Sequence, residues 1–179
     1  MKKTKKIKHP HKTEYLEVMD ETNRPLAIMP RLEVHRQGLF HRSVIVLAYD
    51  SSYRLLLQKR TKNRTVYPGR WDLSATGHAA VGESTFESAM RELREEIGII
   101  PPALKLLTVI KGSSSTNFEY VYLYSAGRRI GVPAPNPEEV EDIIFVSKDD
   151  LGSMAREFPD ILTPGLVYLW ERGFLFPRL

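Results

Sequence analysis

The stretch from Gly77 to Ile99 reads GHAAVGESTFESAMRELREEIGI, and it holds the best helix in the chain, over residues 84–97. Ser84, with Glu87 three positions on, makes a capping box that satisfies free N–H groups of the first turn. Gly98 stands where a helix ends in a left-handed residue. Phe86, Ala89, Met90, Leu93 and Ile97 recur at helical spacing and form the buried face. At ~100° per residue, Glu96 lies ~40° from Glu92 and Glu95 about −60° from it, while the apolar face spans ~60° to ~160°. Three carboxylates therefore share one arc that borders the buried face. Their mutual repulsion costs a few tenths of a kcal/mol per i,i+4 pair, and a hard divalent cation such as Mg²⁺, which takes oxygen ligands, removes it. A solvated acidic face with Arg91 and Arg94 as local partners is the plain alternative.

Outward from this helix, alternating apolar runs predict strands at 14–19, 26–29, 43–49, 54–59, 71–76, 104–111, 118–125 and 142–146. Residues 31–42 are polar and ambiguous. A loop ends at Tyr67-Pro68-Gly69, and a Pro-rich loop covers 131–137. Two short helices close the chain, the second with Thr163 as N-cap and Pro164 at its first position, running to Arg172. Strands outnumber helices and no unit repeats. The expectation is one mixed α/β (α+β) domain over 13–179, with a helix packed on a curved sheet.

The 179 residues are 42% hydrophobic and 27% charged, which suits one domain with a real core. The net charge is +4, yet six lysines lie in the first twelve residues, so the remainder carries −2. Residues 1–12 read as a disordered basic tail rather than a nucleic-acid footprint, and no stable nucleic-acid partner is expected. No apolar run suggests a membrane span or a secretion signal, and the expected compartment is the cytoplasm. The chain has no cysteine, which excludes disulfides, thiolate metal sites and a cysteine nucleophile.

The pattern Gly77, Glu83, Arg91, Glu92, Leu93, Glu95, Glu96, Gly98, Ile99 matches the Nudix box G-x5-E-x7-R-E-U-x-E-E-x-G-U without departure, U being aliphatic. The chain thus resembles the Nudix hydrolases, and the order of strands around the box resembles their fold, which implies a curved mixed sheet sandwiched by helices. The resemblance implies a Mg²⁺- or Mn²⁺-dependent pyrophosphohydrolase acting on a small-molecule diphosphate, a nucleoside diphosphate linked to a further group or a related compound. It implies Glu92, Glu95, Glu96 and the Gly77 carbonyl as metal ligands, with Arg91 orienting the glutamates, alongside Glu83. The general base is Glu92 or an acid of a later loop, where Glu138, Glu139 and Glu141 are available. Many Nudix proteins form homodimers, and the strands within 14–29 could supply an edge for one.

The region before the box is similar to the type I isopentenyl diphosphate isomerases of the same superfamily. That likeness implies His35, His41, His78 and Glu119 as a second metal group. The isomerase cysteine position holds Thr76 instead, and a threonine hydroxyl is far less acidic than a thiol. The expectation is therefore an isomerase-like subgroup of hydrolases, with isomerase activity or a non-catalytic nucleotide-binding module as the alternatives. Lys59, Arg60 and Arg70 are candidates for phosphate contacts. Tyr67, Trp71, Tyr120 and Tyr122 could stack on a base or pack in the core.

Overall fold

The computed structural model describes residues 13–128 and 130–177; the basic tail expected at 1–12 lies outside them. In chain order the elements are β1 (Tyr15–Met19), β2 (Pro25–Pro30), α1 (Arg31–Gln37), β3 (His41–Ala48), β4 (Leu55–Arg60), β5 (Trp71–Asp72), β6 (Ala75–His78), α2 (Thr85–Ile97), β7 (Lys105–Ile110), β8 (Glu119–Gly127), β9 (Val140–Val146), α3 (Lys148–Glu157) and α4 (Pro164–Glu171).

Two sheets build the body. One is mixed, in the order β6-β3-β8-β7, with β3 antiparallel to β6 and parallel to β8. The other is antiparallel, in the order β5-β4-β9. Strand alternation sorts their side chains into two layers. Val44, Val46 and Ala48 of β3 and Leu56 of β4 pack with Ala89, Leu93 and Ile97 of α2. Leu47 of β3 and Leu55 and Leu57 of β4 face the opposite way, against Leu151 of α3 and Leu166 and Leu169 of α4. Helices therefore cover both sides, as the family resemblance implies. A separate two-stranded sheet, β1-β2, closes over α1 through Leu16, Val18 and Val34.

The single strand expected at 71–76 is two strands in two different sheets. The chain crosses at Leu73-Ser74, where the Ser74 hydroxyl donates to the Leu56 carbonyl at 2.6 Å and accepts from the Ala48 N–H at 2.9 Å. This buried hydroxyl supplies the partner that each sheet's backbone lacks at the crossing. The ambiguous segment 31–42 divides into α1, ended by Gly38 at φ 60°, and the start of β3.

The capping box of α2 forms as expected, with Ser84 and Glu87 bonded both ways; such a cap contributes about 1 kcal/mol. Gly98 adopts φ 70° and donates its N–H to the Arg94 carbonyl. Of the predicted apolar face, Ala89, Leu93 and Ile97 are fully buried, whereas Phe86 is 46% exposed and meets Tyr124 edge-on. Truncating Leu93 leaves a cavity at the centre of this layer. Leu93→Ala is expected to lower the unfolding free energy by about 2–5 kcal/mol, read as a reduced urea midpoint at unchanged slope.

Candidate active site

Helix α2 lies against β6, and the carboxylates of its inner arc meet that strand. Glu96 is 2% exposed, and one of its oxygens accepts from Gln58 Nε2 at 2.7 Å and from the Thr76 N–H at 2.9 Å. Burial outweighs these bonds and pushes its pKa up to about 8. Glu92 is also raised, chiefly by burial, with Glu95 and Glu139 adding repulsion and Arg91 opposing it. The Glu92 carboxyl rests on the Cα of Gly77, where any Cβ would collide with it. Glycine is required at 77 for this close approach.

Arg91 fastens the acids together. Its Nε reaches both Glu83 oxygens at 3.1 Å, and its Nη1 reaches Glu92 at 2.7 Å and Glu95 at 3.2 Å. Its Nη2 donates to the His78 carbonyl at 3.3 Å, anchoring the array to β6. The structure thus brings Gly77, Glu92, Glu95, Glu96 and Arg91 together. Their oxygens are hard donors, two of them desolvated and mutually repelling, which suits a divalent cation that keeps some of its waters.

The Pro-rich loop docks on the end of α2. Ala134 N–H donates to the Ile97 carbonyl at 2.8 Å and Asn136 N–H to the Glu96 carbonyl at 2.9 Å. These bonds use carbonyls left free at a helix C-terminus and set the position of the acids that follow. Glu139 faces the cluster and accepts from Arg64 Nη1 at 3.1 Å. Glu141 is held by Lys59 at 2.8 Å, and Glu138 is exposed.

The three sequence candidates for phosphate contact are engaged elsewhere. Arg60 bonds Asp72 at 3.1 Å and the Val66 carbonyl at 3.0 Å, Arg70 donates to the Leu162 carbonyl at 3.2 Å, and Lys59 pairs with Glu141. Tyr120 donates to the Asp20 carbonyl, Tyr122 accepts from Asn23, and Trp71 packs with the C-terminal helices. Tyr67 lies beneath the Arg70 guanidinium.

Sequence reasoning missed two residues at this site. Arg64 joins Glu139 to Glu96, whose second oxygen is 4.0 Å from its Nη2, and the Arg64 side chain keeps 35% of its exposure. Gln58 is the other, and it had a signal: it interrupts the apolar face of β4 two residues after Leu56, and a buried amide needs a partner.

On the other side of β6, His35, His41, His78 and Glu119 converge, with ligand-capable atoms all within 4.8 Å of one another. The parallel pairing of β3 with β8 sets His41 opposite Glu119. His41 Nδ1 donates to the Leu39 carbonyl at 2.9 Å, which leaves Nε2 with a lone pair. That Nε2 is buried without a hydrogen-bond partner, 3.8 Å from Glu119. Nε2 atoms of His35 and His78 are 3.2 Å apart. Burial holds His35 and His41 down to about 4, so both imidazoles are neutral at pH 7. Thr76, which precedes Gly77 on β6, spends its N–H on Glu96.

Residues 39–164 match the NUDIX domain family. The chain is 30% identical over 154 residues to isopentenyl-diphosphate Delta-isomerase 2 of Photorhabdus laumondii, covering 84% of this chain and 86% of that one. It is 44% identical over 87 residues to an uncharacterized Nudix hydrolase, PA4841, of Pseudomonas aeruginosa, a match that spans 49% of this chain and 52% of the relative. Among solved structures, DR0079 of Deinococcus radiodurans has the same fold, with a TM-score of 0.74 at 21% identity over 89% of this chain and 98% of that one. A complete box on the central helix, a family match across most of the domain and a shared architecture agree: the chain belongs to the Nudix hydrolase family.

Proposed function

We propose that the protein hydrolyses the pyrophosphate linkage of a nucleoside diphosphate derivative or related diphosphate at the Glu92-Glu95-Glu96 cluster, using Mg²⁺ or Mn²⁺. The observation that carries this reading is the buried, mutually repelling pair Glu92 and Glu96 closed against Gly77. A pyrophosphate repels hydroxide through its adjacent charges, and a bound divalent ion supplies neutralisation and a more acidic water. Glu92, Glu95, Glu96 and the Gly77 carbonyl would hold it. Arg91 keeps the glutamates converged. Glu139 takes the proton of the attacking water, since of the three loop acids it is the one whose charge acts on Glu92, with Arg64 holding it beside the cluster. As that water's oxygen bonds to phosphorus, the bridging P–O bond breaks and its electron pair leaves with the second phosphate. Arg64 is the cation best sited to meet a phosphate, because Arg60 and Arg70 are bonded into the fold.

A second reading is supported by the orphaned His41 Nε2. The His35, His41, His78 and Glu119 group offers a second divalent ion three imidazoles and one carboxylate. The resemblance to isomerases implies these residues as ligands and a cysteine where Thr76 stands, so hydrolysis is favoured over isomerisation.

A panel of nucleoside diphosphate derivatives together with isopentenyl diphosphate, run with Mg²⁺ and Mn²⁺, tests both readings. Phosphate or monophosphate release is expected, without an allylic diphosphate product. Glu95→Gln and Glu96→Gln should each lower the best turnover by at least about 100-fold in a folded protein; parental rates in both variants would remove the cluster from the chemistry. Gly77→Ala forces the Glu92 carboxyl off the strand, and half-saturating Mg²⁺ should rise by about tenfold or more while the circular dichroism spectrum is kept.

In chelator, the raised pKa of Glu96 has a readable consequence. Between the unfolded value of 4.5 and the folded value of about 8, the folded chain holds a proton that the unfolded chain has lost. This contribution to stability is full below the lower value and disappears as pH rises through the upper one. The urea midpoint of the chelated protein is expected to carry this downward component toward pH 8. Glu96→Gln should flatten it, and identical slopes in the two proteins would contradict the assignment.

A further inference from the structure

The N-terminal hairpin touches the histidine cluster through a residue outside both sets of candidate ligands. Glu14, just before β1, is tied to Arg31, the first residue of α1, by its backbone and its side chain. The Arg31 N–H donates to the Glu14 carbonyl at 2.8 Å, and Arg31 Nη1 donates to Glu14 Oε2 at 2.9 Å. The second oxygen, Oε1, lies 3.6 Å from His78 Nδ1. That gap is just beyond hydrogen-bond length, and the Glu14 side chain is half exposed, so a small rotation closes it. Glu119 approaches the same ring from its other end, with Oε1 4.0 Å from Nε2. Two acids thus flank His78 at opposite nitrogens, and it is Nε2 that faces His35 and Glu119.

A neutral imidazole carries one proton, and the nitrogen that holds it decides where the lone pair points. His41 is set by the Leu39 carbonyl, which takes Nδ1–H and leaves Nε2 open toward Glu119. At His78 the group facing Nδ1 is the Glu14 carboxylate, which when ionised only accepts. A carboxylate or carbonyl behind a ligating imidazole fixes its tautomer and raises its basicity. His35 differs, because it is exposed and meets His78 Nε2 at 3.2 Å through its own Nε2. With the His78 proton on Nδ1, this contact is a hydrogen bond donated by His35. His35 is then the adjustable ring, free to carry its proton on the other nitrogen when an ion arrives.

We infer, on the reading in which His35, His41, His78 and Glu119 take a divalent ion, that Glu14 is a positioning residue for that cluster. It holds His78 with the proton on Nδ1 and turns the Nε2 lone pair toward the other three residues. Arg31 aims the carboxylate and occupies one of its oxygens, so Glu14 stays outside the ligand set and acts through His78. Docking of the hairpin thereby becomes part of the site. Leu16 and Val18 pack on Val34 of α1, and the same contact brings up the acceptor on which one imidazole's orientation depends.

Glu14→Gln tests this, because it keeps the side chain's size and reverses its hydrogen-bonding polarity. Arg31 only donates, so it claims the glutamine carbonyl and turns the amide NH₂ toward His78. Nδ1 then becomes the acceptor and the proton moves to Nε2, where it blocks the ion. Long-range nitrogen–proton NMR correlations of the histidine rings report the tautomer, recorded without metal above the ordinary imidazole range. The parent chain is expected to carry the His78 proton on Nδ1 and Glu14→Gln to carry it on Nε2, with His41 unchanged. Titration with Co²⁺, followed by the visible absorption that His41→Ala abolishes, reports the affinity of this cluster. Glu14→Gln should weaken it by about 10–100-fold. A His78 proton on Nε2 in the parent, or on Nδ1 in Glu14→Gln, overturns the role of Glu14. An unchanged Co²⁺ affinity overturns it too, and in each case the ion site still stands. A parent chain without the His41-dependent absorption removes the ion site and the role of Glu14 with it. Should Glu14→Gln fail to fold, Glu14→Ala, which takes the acceptor away, is read by the same two measurements with the same outcomes deciding.

Discussion

The burial of Glu96 constrains most of this molecule. A carboxylate at 2% exposure needs its lone pairs met, and it receives a side-chain amide from β4, a backbone N–H from β6 and a distant guanidinium from the loop before β5. Each donor comes from a different element, so Glu96 reaches its place only when both sheets have closed on α2. Two further features serve the same geometry. Ser74 ties β3 to β4 where the chain changes sheets, and Gly77 opens the space that Glu92 fills. Arg91 neutralises Glu92 and Glu95 from one side, and Glu96, which it does not reach, holds a proton instead when no cation is bound. A divalent ion would displace that proton, so metal binding and the ionisation of Glu96 are coupled.

How much of this was legible in the sequence depends on how local the cause is. Helix α2 announces itself through its cap, its period and its C-terminal glycine, all within a few residues, and the acid arc follows from the angle between Glu92 and Glu96. The limits of the helical wheel show at Phe86, which has the right phase but stands in the first turn of the helix and is half exposed. Helix α1 was illegible because Val34 is its only fully buried side chain, too little to establish a period. The split of 71–76 was hidden for a different reason. Leu73 and Ser74 have unremarkable strand propensity, and only the pairing of β5 and β6 with strands of separate sheets separates them.

The charged residues of the site were harder still, because a guanidinium's role depends on what else competes for it. Arg60 and Arg70 look like phosphate ligands in the sequence, and they are spent on Asp72 and on the Leu162 carbonyl, groups contributed from 12 and 92 residues away. Arg64 lies between them in the chain and is the one aimed at Glu96 and Glu139. The same holds for Glu138, Glu139 and Glu141, equivalent as a run of acids and separated only when Lys59 pairs with one of them and the docked loop turns another toward Glu92. Composition supplies the groups, and tertiary partners decide which are free.

The two clusters of candidate ligands are linked through one strand. Gly77 and His78 are neighbours on β6, and neighbours on a strand face opposite ways. The missing side chain of Gly77 admits the glutamates on one face, while the imidazole of His78 joins His35, His41 and Glu119 on the other. Arg91 couples the two, since the guanidinium that gathers Glu83, Glu92 and Glu95 also bonds the His78 carbonyl. A shift of β6 that serves one cluster therefore moves the other. The chemistry of the two faces differs even so. On one side three carboxylates crowd one helix face; on the other burial keeps His35 and His41 neutral, with Glu119 and Glu14 as the neighbouring acids. A hard cation that retains its waters suits the first environment, and an imidazole-binding one the second. Ions bound at the two faces would differ in kind because each face is desolvated differently, with no need for a different fold.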